Sequence, residues 1–143
     1  MTPPLVVPDA SVLLKWALRS PDEAERDAAI ALRAAWLEGR CRLMLPSLWA
    51  YEVANVLGLK QPRLAADLVR LLLAYVFDEI PVAALFDTAL KLMTRTKVTF
   101  YDAAYHAVAL DHDGVLVTAD AAYVRRAANV GHVTLLRHWT PPA

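Results

Sequence analysis

Short apolar runs alternate along the chain with longer stretches in which apolar residues recur every three or four positions. The apolar runs predict strands at 5–9, 41–45, 76–81, 115–118 and 132–136. The stretches between them have the spacing of helices that bury one face, as Ala28, Leu32 and Trp36 illustrate. Strands that alternate with helices pair in parallel and are covered on both faces. The pattern therefore predicts an α/β fold, a three-layer α/β/α sandwich with a central, mainly parallel sheet of four to five strands.

Capping and turn residues divide the helical stretches. The predicted N-terminal caps are Ser11, Ser20, Ser47 and Thr99, and the predicted helix ends are Gly39 and Gly58. Pro62 is expected to start the helix after Gly58, because proline suits the first helical turn. Ser20 is followed by Pro21 and then, at the third helical position, by Glu23, which is the pattern of a capping box. The chain contains no linker and no internal repeat.

The length of 143 residues suits a single domain over residues 1–143, with the last residues, about 137–143, as a loose tail. No apolar run approaches the ~20 residues that a transmembrane helix requires, so no membrane association is expected. The N-terminus lacks a basic region followed by a long apolar run and does not resemble a secretory signal. Cys41 is the single cysteine and cannot form an internal disulfide. These features favour a cytoplasmic location.

Three aspartates occupy positions that are ordinary for helix caps and yet share one edge of the predicted sheet. Asp9 and Asp120 each follow the end of a predicted strand, and Asp102 lies in the first turn of a predicted helix. Taken singly, each is explained as a turn or capping residue. However, the carboxyl ends of parallel strands meet at one edge of the sheet, where open α/β sheets bind their ligands. The three side chains are therefore expected on the same rim.

Glu52 is a fourth acid in an unusual setting, because its helical neighbours Leu48 and Val56 are both apolar. A carboxylate there is costly unless it is paired, protonated or bound to a cation, although a hydrogen bond to a tyrosine would also explain it. Four carboxylates close together repel each other unless a cation neutralises them. Without cysteine or paired histidine ligands, such a cluster selects a hard cation, Mg²⁺ or Mn²⁺.

The formal net charge is zero, with 15 basic and 15 acidic residues, and gives no overall electrostatic argument for binding nucleic acid. The balance changes if four of the acids lie in one pocket. The 15 basic residues then face 11 acidic ones on the rest of the surface, a surplus of +4.

Four blocks of the sequence, each containing one of these acids, resemble the acidic blocks of PIN domains. The blocks are 7–16 (VPDASVLLKW), 46–57 (PSLWAYEVANVL), 99–105 (TFYDAAY) and 116–120 (LVTAD). Their order and spacing match over nearly the whole chain, which looks most like the VapC toxins of bacterial toxin–antitoxin pairs. The chain departs from the pattern in two places: residues 121–123 (AAY) lack the basic residue that many relatives have after the fourth acid, and Pro8 replaces an aliphatic residue. The first departure weakens any expectation of substrate contacts there.

The resemblance implies a ribonuclease that hydrolyses RNA phosphodiester bonds with a metal-activated water. It implies that Asp9 and Asp102 are the main ligands of one or two Mg²⁺ ions, and that Glu52 and Asp120 complete the catalytic site. The candidates for holding carboxylates or water are Ser11, Asn55 and Thr118, and those for contacting RNA phosphates, although a solvated surface also explains them, are Lys15, Arg95, Lys97, Arg125 and Arg126. The resemblance further implies a homodimer that a cognate antitoxin protein neutralises.

Two other functions remain open at this stage. A catalytically silent PIN-fold protein that docks a protein or an RNA predicts no dependence on Mg²⁺ or Mn²⁺. A phosphotransfer enzyme of the haloacid-dehalogenase type also begins with an aspartate at a strand end, but it requires a second aspartate where this chain has Ser11. Partner interfaces are conceivable at the leucines after Pro62 or at Trp16, Trp49 and Trp139, which ordinary core packing explains equally well.

Overall fold

The computed structural model describes residues 2–19 and 23–143, and five strands form its centre. They are β1 (Leu5–Pro8), β2 (Arg42–Pro46), β3 (Asp78–Ile80), β4 (Val115–Thr118) and β5 (Val133–Leu135). Their order is β3-β2-β1-β4-β5, and each of these pairings is parallel. Ser20 and Pro21 lie outside the described residues, and with them the predicted capping box.

Helices connect and flank these strands. They are α1 (Ala10–Ala17), α2 (Glu23–Leu37), α3 (Trp49–Lys60), α4 (Ala65–Leu73), α5 (Phe86–Thr96), α6 (Phe100–Asp111) and α7 (Ala121–Ala127). Short 3₁₀ turns precede α5 and follow β5, at Val82–Leu85 and Leu136–His138. In the ranges that the structure describes, no helix is long and apolar enough to cross a membrane. The parallel five-stranded sheet with its flanking helices confirms the predicted α/β architecture.

β1 lies at the centre of the sheet, because β2 and β4 pair along its opposite sides. Val6 lies beside Leu43 of β2, and Val7 lies beside Leu116 of β4. The connection after β1 leads to β2, whereas the connection after the adjacent strand β4 leads in the opposite direction to β5. Such a divergence opens a crevice beyond the carboxyl ends of the two strands. Every residue of β1 is buried, as expected for a strand that is covered on both faces. Asp9, the next residue, emerges at this crevice.

α6 packs across the three central strands β1, β2 and β4. Residues 103–109 of this helix are all buried, and four of these seven residues are alanines. Small side chains let the backbone of a helix lie close to a sheet, and their burial excludes water from the contact. The first turn of α6, which carries Asp102, is therefore held firmly beside the central strands.

An aromatic cluster joins α1 and α2 to the segment before β3. The Trp16 and Trp36 ring centroids are 6.2 Å apart, and those of Trp36 and Phe77 are 5.3 Å apart. Such pairs contribute ~0.5–1.5 kcal/mol each beyond the burial of their apolar surface. Trp16 and Trp49 are only 7 % and 1 % exposed. Core packing is therefore the correct explanation for these two tryptophans, and a partner interface is not.

Two of the predicted helix caps were wrong. Asp9 rather than Ser11 caps α1, since its carboxylate accepts a hydrogen bond from Ser11 N and Ser11 lies inside the helix. Ser47 does not cap α3, because its hydroxyl accepts a hydrogen bond from Val82 N instead. Thr99 caps α6 as predicted. Serine competes with aspartate for such positions, and the tertiary fold decides which backbone groups each one reaches.

The turn between α3 and α4 also differs from the prediction. α3 continues through Gly58 to its end at Lys60, and α4 begins three residues after Pro62. Glycine inside a helix costs ~1 kcal/mol relative to alanine. The burial of Leu57 in the core offsets this cost. The packing of α3 thus overrides the local preference of glycine for a helix end.

The chain after β5 is attached to the domain. Leu136 is fully buried. Trp139 packs against the core, and its backbone N–H bonds to the carbonyl oxygen of Leu135 at 3.1 Å. Arg40 donates a hydrogen bond to the carbonyl oxygen of Pro142 at 2.9 Å. Part of the segment expected to be a loose tail is therefore in contact with the rest of the protein.

Candidate active site

Asp9 leaves the carboxyl end of β1 and caps α1. Its Oδ1 accepts hydrogen bonds from the Ser11 backbone N–H at 3.0 Å and from the Ser11 hydroxyl at 2.5 Å. The Ser11 hydroxyl oxygen accepts a hydrogen bond from Ala119 N at 3.0 Å and lies 3.5 Å from Thr118 Oγ1. Ser11 therefore links the end of β1 to the end of β4 and restricts the Asp9 side chain.

Asp120 follows β4 and caps α7. Its Oδ1 accepts a hydrogen bond from Tyr123 N at 3.1 Å, and its own N–H donates to Thr118 Oγ1 at 3.1 Å. β1 and β4 are adjacent and parallel. Asp9 and Asp120 consequently leave the sheet at the same edge.

The first turns of α6 and α3 supply the other two acids. Asp102 lies in the first turn of α6, where its N–H donates to the hydroxyl of the Thr99 cap at 3.3 Å. Glu52 lies in the first turn of α3, and its Oε1 accepts a hydrogen bond from the Tyr105 hydroxyl at 3.0 Å. Because Tyr105 belongs to α6, this bond joins the two helices that carry these acids.

All four acids border a single pocket of about 220 Å³ at the carboxyl edge of the sheet. The residues that line it are Asp9, Ala10, Ser11, Leu14, Glu52, Val56, Asp102 and Asp120. Each acid comes from a different segment of the chain, and each lies at or near the start of a helix. The backbone N–H groups of helix starts carry partial positive charge, which partly offsets the negative charge of the pocket.

The pKa of the Asp9 carboxyl group is strongly raised in this pocket. Burial raises the pKa of Asp9 to about 6. Hydrogen bonds from the hydroxyls of Ser11 and Thr118 lower this pKa, and the charges of Asp102 and Glu52 raise it. The pocket thus holds an acid that is only partly ionised at pH 6 when no cation is bound.

Burial also raises the pKa of Glu52 and that of Asp102. The Tyr105 hydrogen bond opposes the rise at Glu52, whereas the charge of Asp102 adds to it. At Asp102, the nearby charge of Asp120 adds to the effect of burial. The carboxylates therefore repel one another, and a cation among them would relieve that repulsion.

Tyr105 is the tyrosine that bonds to Glu52, a partner that the sequence analysis allowed for without identifying the residue. Burial and the neighbouring charge of Glu52 raise the pKa of Tyr105 far above its ordinary value. The phenol therefore remains protonated and acts as a hydrogen-bond donor to Glu52. One signal was available in the sequence, because Tyr105 follows Asp102 by three positions and so lies on the same side of α6.

His106 and Tyr123 form a second buried contact that the sequence did not reveal. The Tyr123 hydroxyl lies 2.7 Å from His106 Nδ1, and His106 Nε2 lies 2.8 Å from the carbonyl oxygen of Gly131. Burial lowers the pKa of His106, which keeps the ring neutral, with Nε2–H donating to Gly131 and Nδ1 accepting from Tyr123. This contact fastens α7, and hence Asp120, to α6.

The donor atoms of the pocket suit a hard divalent cation. Carboxylate oxygens are the ligands that Mg²⁺ prefers, and the described residues that line the pocket include no sulfur or imidazole donor. Within residues 2–19 and 23–143, no three His, Cys, Asp or Glu side chains stand close enough together to form a ligand group as they are placed. The chemistry of the donor atoms therefore fits Mg²⁺. The carboxylates are spread around the wall of the pocket, and those of Asp9 and Asp120 also cap helices.

A basic cavity of about 440 Å³ adjoins the acidic pocket. The two share Ser11 and Leu14, and the cavity is further lined by Lys15, Arg19 and Lys60. The sequence reasoning included Lys15 but not the other two cations. Their proximity depends on the packing of α3 against α1, which the order of residues along the chain does not reveal.

A second basic cavity, of about 400 Å³, shares Asp102 and Asp120 with the acidic pocket. It is also lined by Lys97 and Arg126, and Arg126 donates a hydrogen bond to the Lys97 carbonyl oxygen at 2.9 Å. Lys97 follows α5 with a left-handed backbone, φ 59°. The acidic pocket thus adjoins two separate cavities that are lined by cations.

Three further candidates lie apart from the acidic pocket. Arg95 lines a separate cavity of about 250 Å³ that none of the four acids borders. Arg125 is exposed and lines neither basic cavity. Asn55 is exposed and lines a neighbouring cavity with Glu52, and no hydrogen bond to a described residue holds its amide.

The sequence profile of the PIN domain family matches residues 6–129 of the chain. This range includes all four acids of the pocket. No curated protein matches the chain significantly.

Solved structures of toxin–antitoxin proteins share the fold. A toxin–antitoxin complex from Klebsiella pneumoniae superposes with a TM-score of 0.67 and 17 % identity, covering 92 % of this chain and 97 % of that one. VapBC2 from Rickettsia felis, bound to a DNA fragment from its promoter, superposes with a TM-score of 0.67 and 12 % identity, covering 92 % of this chain and 96 % of that one. VapC20 from Mycobacterium tuberculosis, a toxin that cleaves the sarcin–ricin loop, superposes with a TM-score of 0.64 and 17 % identity, covering 90 % of this chain and 96 % of that one. Since the family profile extends over most of its length, and these structures share its fold, the chain belongs to the PIN domain family.

Proposed function

We propose that this chain is a Mg²⁺-dependent ribonuclease and the toxin component of a toxin–antitoxin pair. The observation that carries the proposal is the meeting of four carboxylates, from four separate segments, in one pocket at the carboxyl edge of the sheet. Membership of the PIN domain family supports nuclease activity. The similarity to toxin–antitoxin proteins, one of which cleaves RNA, supports the more specific assignment.

Asp9, Glu52, Asp102 and Asp120 are the residues that would hold the ion. Bound Mg²⁺ supplies Lewis-acid polarisation of the phosphate and activation of the attacking water. The carboxylates must be ionised to bind a cation, so the raised pKa of Asp9, about 6, favours activity at pH values above it.

Neighbouring hydroxyls orient these carboxylates. Ser11 donates to Asp9, and Tyr105 donates to Glu52. Thr118 accepts the backbone N–H of Asp120 and lies beside Ser11. Residues that restrict a ligand in this way typically change metal affinity or activity ~10–100-fold when they are replaced.

The two basic cavities are suited to the phosphates on either side of the cleaved bond. Lys15, Arg19 and Lys60 line one cavity, and Lys97 and Arg126 line the other. A strand that crosses the acidic pocket from one cavity to the other brings its charged backbone to both groups. We assign the phosphate contacts to these five residues.

We further propose a homodimer and a cognate antitoxin as protein partners. The support is the similarity to toxin–antitoxin complexes. The surface of α3 and α4 also exposes large apolar side chains, with Leu59 78 %, Leu64 52 % and Leu71 63 % exposed. Clustered exposed apolar residues are typical of protein interfaces.

The test compares wild-type protein with Asp102→Asn in the cleavage of single-stranded RNA, with Mg²⁺ and with EDTA. Asparagine keeps the shape of the side chain but removes a negative charge that a cation requires. We expect cleavage by the wild-type protein only with Mg²⁺, no cleavage by the variant, and growth arrest on expression of the wild-type protein alone. Asp113→Asn is the control, because this exposed turn residue has a left-handed backbone, φ 54°, that asparagine tolerates. Full activity of Asp102→Asn would contradict the proposal, as would binding of RNA without any metal-dependent cleavage.

A further inference from the structure

Two of the five tyrosines have no side-chain partner among the described residues. Tyr75, Tyr105 and Tyr123 are hydrogen-bonded through their hydroxyls inside the protein. Tyr51 and Tyr101 are 79 % and 56 % exposed. Across the described residues, neither of them makes a side-chain hydrogen bond or an aromatic pair. Exposed, unpartnered aromatic rings present apolar surface to water that a ligand is able to cover.

Both rings line the same cavity beside the acidic pocket. The cavity has a volume of about 240 Å³ and is lined by Tyr51, Glu52, Asn55 and Tyr101. Glu52 also lines the acidic pocket, so the two spaces share a wall. Tyr101 directly precedes Asp102 in α6. The cavity is therefore adjacent to the four carboxylates through Glu52.

We propose that this cavity binds one unpaired base of the RNA, adjacent to the phosphate in the acidic pocket, and so contributes to the choice of cleavage site. The inference rests on the proposed ribonuclease function. Every base has an aromatic face that stacks on a tyrosine ring. The Asn55 amide offers two donor hydrogens and an acceptor oxygen, which are the groups needed to form hydrogen bonds with the edge of an unstacked base.

The lining of the cavity favours a base over an apolar side chain of a protein partner. Of the residues that the structure describes, those lining the space supply two aromatic rings, one amide and one carboxylate, and no aliphatic side chain. The exposed leucines among the described residues lie elsewhere, on α3, α4 and α5 and at the end of α2. A planar ligand with a polar edge is able to stack on the tyrosine rings and to form hydrogen bonds with the Asn55 amide.

The experiment measures the dissociation constant of a fluorescent single-stranded RNA of about 12 nucleotides by anisotropy, with Ca²⁺ in place of Mg²⁺ so that a cation still neutralises the carboxylates, and electrophoresis checks that the RNA stays intact. Tyr51→Ala and Tyr101→Ala are each expected to weaken binding at least about fivefold, because stacking on one base is worth 1 kcal/mol or more. Tyr→Phe at either position should bind as wild type does, since the ring is kept, whereas Tyr→Leu should bind as the alanine variants do. Leu37→Ala is the matched control, because Leu37 is 62 % exposed at the end of α2 and is not among the residues lining the cavity.

Abasic RNA of the same length separates stacking from charge. Its affinity should be equal for wild type and the alanine variants, because no base remains to be stacked. Sedimentation velocity should give the same oligomeric state for all proteins. Alanine variants that change the oligomeric state without changing RNA affinity would make the cavity a protein interface and overturn the inference, as would leucine variants that bind like wild type or a wild-type protein that binds no RNA.

Cleavage assays keep this inference distinct from the proposed function. If the wild-type protein cleaves RNA with Mg²⁺ and both alanine variants bind RNA with unchanged affinity, base binding is refuted and the ribonuclease stands. If the affinities follow the expected order but no cleavage occurs, the ribonuclease is refuted and the cavity remains a base-binding site.

Discussion

Replacing Asp9 with asparagine is expected to stabilise the metal-free protein at neutral pH while it removes metal-dependent activity. Folding raises the pKa of Asp9 from its ordinary 3.8 to about 6, chiefly by burial. A group whose pKa rises on folding binds its proton more tightly in the folded state. Its contribution to stability is fully present below pH 3.8 and is lost as the pH rises through about 6. At pH 7 the folded protein therefore bears the whole cost of this buried charge.

The size of the effect follows from the pKa difference. A rise from 3.8 to about 6 corresponds to about 3 kcal/mol at pH 7, because one pKa unit is worth about 1.4 kcal/mol. Asparagine is neutral at every pH and is as good a helix cap as aspartate, so the bond from Ser11 N is kept. The pKa of about 6 already includes the opposing hydrogen bond from the Ser11 hydroxyl, so no separate loss is subtracted for that bond. The expected stabilisation is therefore about 3 kcal/mol, or about 10 °C in Tm for a domain of this size.

The assay is thermal unfolding in EDTA at pH 4 and at pH 7.5, with Asp113→Asn as the surface control. We expect Asp9→Asn to have the higher Tm at pH 7.5 and this advantage to shrink toward pH 4, where Asp9 becomes protonated in the folded protein. Added Mg²⁺ at pH 7.5 should raise the Tm of the wild type, because a ligand that binds only the folded state stabilises it, and should have little effect on Asp9→Asn. A variant that is less stable than wild type at pH 7.5, or whose advantage does not depend on pH, refutes the reasoning.

Two further substitutions test the supports of the site and of the sheet. Tyr105→Phe removes the hydroxyl that donates to Glu52. We expect RNA cleavage to fall ~10-fold while the circular dichroism spectrum stays unchanged. An undiminished kcat/KM would count against a role of Tyr105 in positioning Glu52. Gly114→Ala places a Cβ only 2.9 Å from the Leu5 carbonyl oxygen and side chain. Backbone atoms must then shift, which should cost ~1–3 kcal/mol in urea unfolding, and a loss below ~0.5 kcal/mol would show that the strand accommodates the methyl group.

The sequence alone determined the strands and much of the site chemistry. A short apolar run such as 5–8, which ends at Asp9, is readily predicted as a buried strand. Its apolar composition determines that it is buried, and the pattern that identifies it lies within a few neighbouring residues. The acids were identifiable from their joint placement at strand ends and helix starts and from the resemblance of their blocks to PIN domains, although each aspartate taken singly is explained as a cap or turn residue. Thr99 was identifiable as a cap, because the hydrogen bond to Asp102 N joins residues three positions apart.

The tertiary structure decided everything that depends on residues distant in the chain. The order β3-β2-β1-β4-β5 sets which acids meet, and local patterns do not encode that order. Gly58 and Ser47 departed from their local preferences because packing and a bond to Val82 outweighed them.

The same distinction applies to the surroundings of the acids. Tyr105 reaches Glu52 from 53 positions away, and Tyr51 and Tyr101 share a cavity only because α3 and α6 bring them together. Local sequence specifies which groups are available, since propensity and polarity belong to single residues and their neighbours. Only packing specifies which groups are neighbours in space, and the function of this protein depends on those contacts.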